Sequence, residues 1–82
     1  MTKAPPSSAA RLLFGQAFQE ARRISRQTQE DVARATGIDR SHISLIENGQ
    51  ANATIDTMAV LARAVGAELK ITVAVSSRRR KT

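Results

Sequence analysis

Apolar residues recur at three- and four-residue intervals along Leu13, Phe14, Ala17, Phe18, Ala21 and Ile24, the period of one helix face. The spacing predicts a first helix over about 9–24, capped by Ser8, with that stripe as core. Thr28 followed by Asp31 makes a capping-box-like start for a second helix over about 29–36, with Val32 and Ala33 inside and Gly37 placed for a left-handed exit. Asp39 is a suitable N-cap for a third helix over about 40–48, in which Ile43 and Ile46 share a face and Gly49 stops the chain. Thr54 caps a fourth over about 55–65, carrying Ile55, Met58, Ala59, Leu61, Ala62 and Val65, and Gly66 closes it.

The period changes at Glu68. Leu69, Ile71, Val73 and Val75 alternate with Glu68, Lys70, Thr72 and Ala74, which predicts a β-strand by spacing and by its β-branched residues. It is the only strand pattern in the sequence, so its expected partner is the same segment of a second copy. The organisation expected is a disordered tail over 1–8, a helical domain over 9–66, a dimerisation strand over 67–75 and a basic disordered tail over 76–82.

A chain of 82 residues fits one domain, too small for a large catalytic cleft. With no cysteine and His42 as the one histidine, no disulfide, thiolate metal site or histidine cluster can form. No cofactor is expected. The apolar run Leu12-Leu13-Phe14 is far too short for a membrane span or signal core, so a cytoplasmic location without membrane contact is expected. The net charge is +6, which favours a polyanion such as nucleic acid. Arg78, Arg79, Arg80 and Lys81 supply four of those charges, leaving the folded part only mildly basic.

Two short helices joined by the tight turn Gly37-Ile38-Asp39 match a helix-turn-helix unit, the kind whose second helix enters the DNA major groove, although a plain αα-hairpin would share some of these features. Ala33 is small where the two helices cross, and Val32, Ile38, Ile43 and Ile46 anchor them. From Phe14-Gly15 to Gly66 the sequence resembles the Cro/Xre family of lambda-repressor-like domains. The resemblance is strongest over Thr28-Gln29-Glu30-Asp31-Val32-Ala33 and Gly37-Ile38-Asp39-Arg40-Ser41-His42-Ile43-Ser44-Leu45-Ile46-Glu47-Asn48-Gly49. It implies a mainly α fold, a four-helix DNA-binding domain with the C-terminal strand pairing across a dimer.

The resemblance also implies roles for particular residues. Arg40, Ser41, Ser44 and Leu45 would face the bases. Gln29, with Thr28, would hold one DNA phosphate at the start of the second helix; Asn48, Gln50 and Asn52 would hold another after the third. Arg22 would pair with Glu47 inside the domain. The side-chain chemistry agrees: Arg40 can bridge guanine O6 and N7, and Leu45 can touch a thymine methyl. Two alternatives stay open, a phosphate or solvent role for Arg40 and a core role for Leu45. His42 reads as a phosphate or turn contact, and Glu30 and Asp31 as complements to the helix dipole. No phosphate loop, nucleophile-base pair or ligand cluster can be assembled, so no enzymatic activity is expected.

Three positions depart from the family pattern. Gln27 stands where an apolar residue usually precedes the Thr28 cap, Arg26 replaces a common glycine, and Ala53 replaces a common proline. The closing strand, in place of a fifth helix, resembles the arrangement of HipB-type antitoxins. The expected function is therefore a sequence-specific repressor binding a palindromic operator in double-stranded DNA as a homodimer. The alternative is an antitoxin that neutralises a toxin protein and autoregulates its operon.

Overall fold

The structure, a computed structural model, describes residues 6–75, with side chains from residue 9. Four helices follow one another: α1 (Pro6–Ile24), α2 (Gln29–Thr36), α3 (Arg40–Glu47) and α4 (Ile55–Ala64). The boundaries of the last three follow the capping residues closely. Thr28 Oγ1 accepts from the Asp31 N–H at 3.0 Å while Asp31 Oδ2 accepts from the Thr28 N–H at 2.9 Å, a complete capping box. That Thr28 backbone bond is also the main reason the Asp31 carboxyl is held below its ordinary pKa. The cap is therefore at full strength above the usual carboxylate range and weakens as pH falls through the lowered value. Thr54 caps α4 by accepting from Thr57 N–H at 3.0 Å.

Two caps differ from expectation. Helix α1 already begins at Pro6, so Ser8 lies within its first turn; proline suits a first helical position because its missing N–H would find no intrahelical acceptor there. Asp39 occupies the N-cap of α3 but makes no side-chain cap bond; its backbone carbonyl instead accepts from the His42 and Ile43 N–H groups, each at 3.0 Å.

Phe18, Val32, Ile43, Ile46, Leu61 and Val65 form the core, with Phe14, Ala21, Ala33 and Ile38 packed against it. Burying each large aliphatic or aromatic side chain contributes about 1.5–3 kcal/mol. Phe14 and Phe18, one turn apart, stack with ring centroids 6.1 Å apart. The crossing of α1 and α3 is close because Gly15 faces it. A Cβ there would collide with the carbonyls of Ile46 and Glu47.

The expected apolar stripes are only partly covered. On α1, Leu13, Ala17 and Ile24 are exposed, and so are Ile55 and Ala59 on α4. The three-helix contact around α3 fills one side of α1, and within one chain little lies over the other. An apolar hollow of about 780 Å³ remains there, lined by residues that include Leu13, Phe14, Ala17, Met58, Val65, Leu69 and Ile71.

Residues 67–75 have no regular secondary structure, and there is no strand among the described residues. Strand assignment requires a hydrogen-bonded neighbour, and the sequence pattern assigned that neighbour to another subunit. Leu69 is half-buried, whereas Ile71, Val73 and Val75 are exposed. The basic run over 78–81 lies outside the described residues, as do residues 1–5 of the expected N-terminal tail. No helix among the described residues is long and apolar enough to cross a membrane.

Candidate nucleic-acid interface

Helices α2 and α3 are separated by three residues. Gly37 makes the turn with φ of 80° and donates its N–H to the Ala33 carbonyl at 2.8 Å. Thr36 Oγ1 accepts from the Ile38 N–H at 3.1 Å and donates to the Val32 carbonyl at 2.8 Å. The turn's polar groups are thus satisfied locally, which fixes the direction in which α3 leaves.

Helix α3 is sharply two-sided. Ile43 and Ile46 are 0% and 2% exposed, and Glu47 is 3% exposed. Arg40 and Ser41 are exposed, His42 and Ser44 half-buried, and Leu45 is 43% exposed. Leu45 therefore stands outside the core, on a helix whose buried stripe is already filled by the two isoleucines. Asn48, Gln50 and Asn52 are exposed at the end of α3 and in the following loop, and Thr28 is exposed at the start of α2.

A hydrogen-bonded chain runs beneath this face. Arg22 on α1 grips Glu47 with two nitrogens, Nε to Oε2 at 2.6 Å and Nη2 to Oε1 at 3.1 Å. The Arg22 side chain is 14% exposed and that of Glu47 only 1%. Arg22 Nη1 also donates to the Gln27 carbonyl at 2.9 Å. Gln29 Nε2 donates to Glu47 Oε1 at 3.0 Å, and Gln29 Oε1 accepts from Arg40 Nη1 at 3.5 Å. One carboxylate thus joins α1, α2 and, through Gln29, the first residue of α3. Gln29 is half-buried and keeps one amide hydrogen uncommitted by these bonds.

Gln27 has a place that sequence reasoning missed. Read as the loss of an apolar staple, it is half-buried and donates from Nε2 to the Ala64 carbonyl at 2.9 Å. A polar link from the α1–α2 turn to the end of α4 replaces the apolar contact. No signal in the sequence joins Gln27 to Ala64; only the fold brings this donor to a helix end whose last carbonyls need one.

A short helix pair joined by a glycine turn, an outward face carrying arginine, serine and leucine, and a buried network holding that face in place define a helix-turn-helix DNA-binding domain. The comparisons agree: the helix-turn-helix family profile matches residues 20–71, and the chain belongs to this family, in its Cro/Xre branch of DNA-binding transcriptional regulators. Among solved structures it is similar to the restriction-modification controller protein C.AhdI from Aeromonas hydrophila. That similarity is at 35% identity and a TM-score of 0.68, over 73% of this chain and 91% of the other. No curated protein matches the sequence.

Proposed function

We propose that this regulator is a repressor that occupies a palindromic operator as a homodimer, reading bases with Arg40, Ser41, Ser44 and Leu45. The observation that carries the reading is the two-sided α3, with Ile43, Ile46 and Glu47 buried and these groups wholly or partly accessible. Thr28, Gln29, His42, Asn48, Gln50 and Asn52 serve as contacts to phosphate. The similarity to a restriction-modification controller supports a regulator of gene expression; nothing in the fold favours a toxin partner. Selection of bound sites from random duplex DNA tests the reading. The expected product is an inverted repeat with half-sites about one helical turn apart, roughly 34–36 Å, whereas recovery of no common sequence would oppose it.

Arg40→Ala is expected to relax preference at one base pair of each half-site and to cost about 1–3 kcal/mol on the selected site. Gln29→Ala weakens selected and scrambled duplexes alike. Equal losses on both duplexes for Arg40→Ala, read by fluorescence anisotropy, would reassign Arg40 to phosphate.

The dimer reading rests on the alternating segment at 68–75 and on the apolar hollow beside it. An isolated strand leaves its backbone groups open, and a two-fold axis lets one segment satisfy itself. Leu69, Ile71, Val73 and Val75 then cover the exposed apolar surface of α1 and α4, which supplies the packing that a two-stranded ribbon needs in water. Truncation after Gly66 is expected to give a monomer with weakened operator binding. A truncated protein that still sediments as a dimer and binds unchanged would transfer the interface to the helices.

A further inference from the structure

Arg26 is the one non-glycine residue with a positive φ among the described residues, at 60°. It follows the end of α1 and donates its N–H to the Arg23 carbonyl at 3.0 Å. In this left-handed region a Cβ crowds the neighbouring carbonyl, and glycine escapes the crowding. The other left-handed positions, Gly37, Gly49 and Gly66, are glycines. Arginine at this turn therefore costs stability that glycine would not, and among the described residues its side chain makes no hydrogen bond or ion pair that offsets it. Arg22, Arg23 and Arg34 pair with Glu47, Glu20 and Asp31, but among the described residues the exposed Arg26 guanidinium makes no ion pair. Strain of this kind clusters at functional positions, which directs attention to what surrounds the side chain.

The surroundings indicate a role. Arg26 lines an open hollow together with Arg23, Thr28, Gln29, Glu30 and Arg40, beside the start of α2 and the first residue of α3. Glu30 is its one acid, and Arg26 and Arg40 are both free of ion pairs among the described residues. A guanidinium in that position suits the phosphate oxygens of a duplex lying across α2 and α3. We propose that Arg26 is an additional DNA-backbone anchor, and that contact with a phosphate offsets the strain in its backbone. This rests on the DNA-binding reading above, and it assigns a role to a residue in the turn ahead of the helix-turn-helix unit.

The test compares the full chain with Arg26→Gly and Arg26→Lys on a mixed-sequence duplex, titrated over a range of salt concentrations, alongside thermal unfolding. Arg26→Gly is expected to raise Tm by about 4–8 °C, the shift that relief of moderate strain gives in a domain this small. The same variant is expected to bind more weakly, by the same factor on every sequence, with the slope of log K against log salt reduced by about one per subunit. Arg26→Lys, strained but charged, keeps the slope and the Tm of the parent. A glycine variant that is stabilised yet binds with unchanged slope would overturn the anchor while leaving the DNA-binding reading intact. If the parent chain itself fails to bind duplex DNA and Gln29→Ala changes nothing, both readings fall.

Discussion

Glu47→Ala is expected to destabilise the domain by about 3–5 kcal/mol, because it strands a mostly buried guanidinium without its counter-ion. The size follows from geometry. Glu47 has 1% of its side chain exposed and accepts two bonds from Arg22 and one from Gln29. Removing it leaves three donors facing a void that their partner had filled. A core of this size supplies only about 3–5 kcal/mol in all, so the variant is largely unfolded unless DNA or a second subunit supports it. Arg22→Met is expected to be severe for the converse reason, a buried carboxylate left with the Gln29 amide alone. The double variant Arg22→Met/Glu47→Leu should lose much less than the sum of the two, since apolar replacement of a whole buried pair is often close to neutral. Urea unfolding of the parent, Arg22→Met, Glu47→Leu and the double variant gives the coupling directly, and simple additivity would mean that the two charges do not depend on each other. The double variant should nevertheless bind DNA poorly, because Gln29 and through it Arg40 lose the carboxylate that orients them.

The sequence made the helices legible because each of the last three carries its own start signal, Thr28, Asp39 and Thr54, and a glycine follows each of the three. The accessible face of α3 was legible in part from spacing: Ile43 and Ile46 define the buried stripe, while the choice between core and surface for Leu45, 43% exposed, needed the structure. Periodicity does not tell which apolar residues of a helix find a neighbour in the same chain. Leu13 and Ile24 continue the stripe of Phe14 and Phe18, yet they are 67% and 72% exposed, because α3 and α4 cover only part of α1. The strand pattern at 68–75 has the same character, since alternation is written into the segment but nothing in one chain pairs with it among the described residues. Gln27 and Arg26 looked like departures from a pattern. Their use became visible only with an acceptor at Ala64 and a left-handed φ, neither of which spacing can supply.

Gly15 reverses sign between sequence and structure, and Gly15→Ala is the sharpest test of the α1–α3 crossing. By helix propensity alone, alanine in the interior of α1 should stabilise by about 1 kcal/mol. The added Cβ, however, would collide with the carbonyls of Ile46 and Glu47, which are backbone atoms at the end of the recognition helix and have no rotamer to escape into. Overpacking of this kind costs about 1–3 kcal/mol and sometimes more, and obstacles made of backbone place it at the upper end. The net expectation is a loss of about 2 kcal/mol or more. Gly37→Ala provides the contrast: nothing lies within 4 Å of its Cβ, so its cost comes from φ alone, about 1 kcal/mol. Only Gly15→Ala should push α3 away from α1, stretching the Arg22–Glu47 bonds and tilting Arg40 and Leu45 relative to the phosphate contacts proposed for Thr28 and Gln29. Its selected-site affinity should therefore fall more than its non-specific affinity at a temperature where the domain is still folded, whereas Gly37→Ala keeps their ratio. A higher Tm for Gly15→Ala would mean that the two helices can separate at no cost, and the tight crossing would then have no part in holding the reading face.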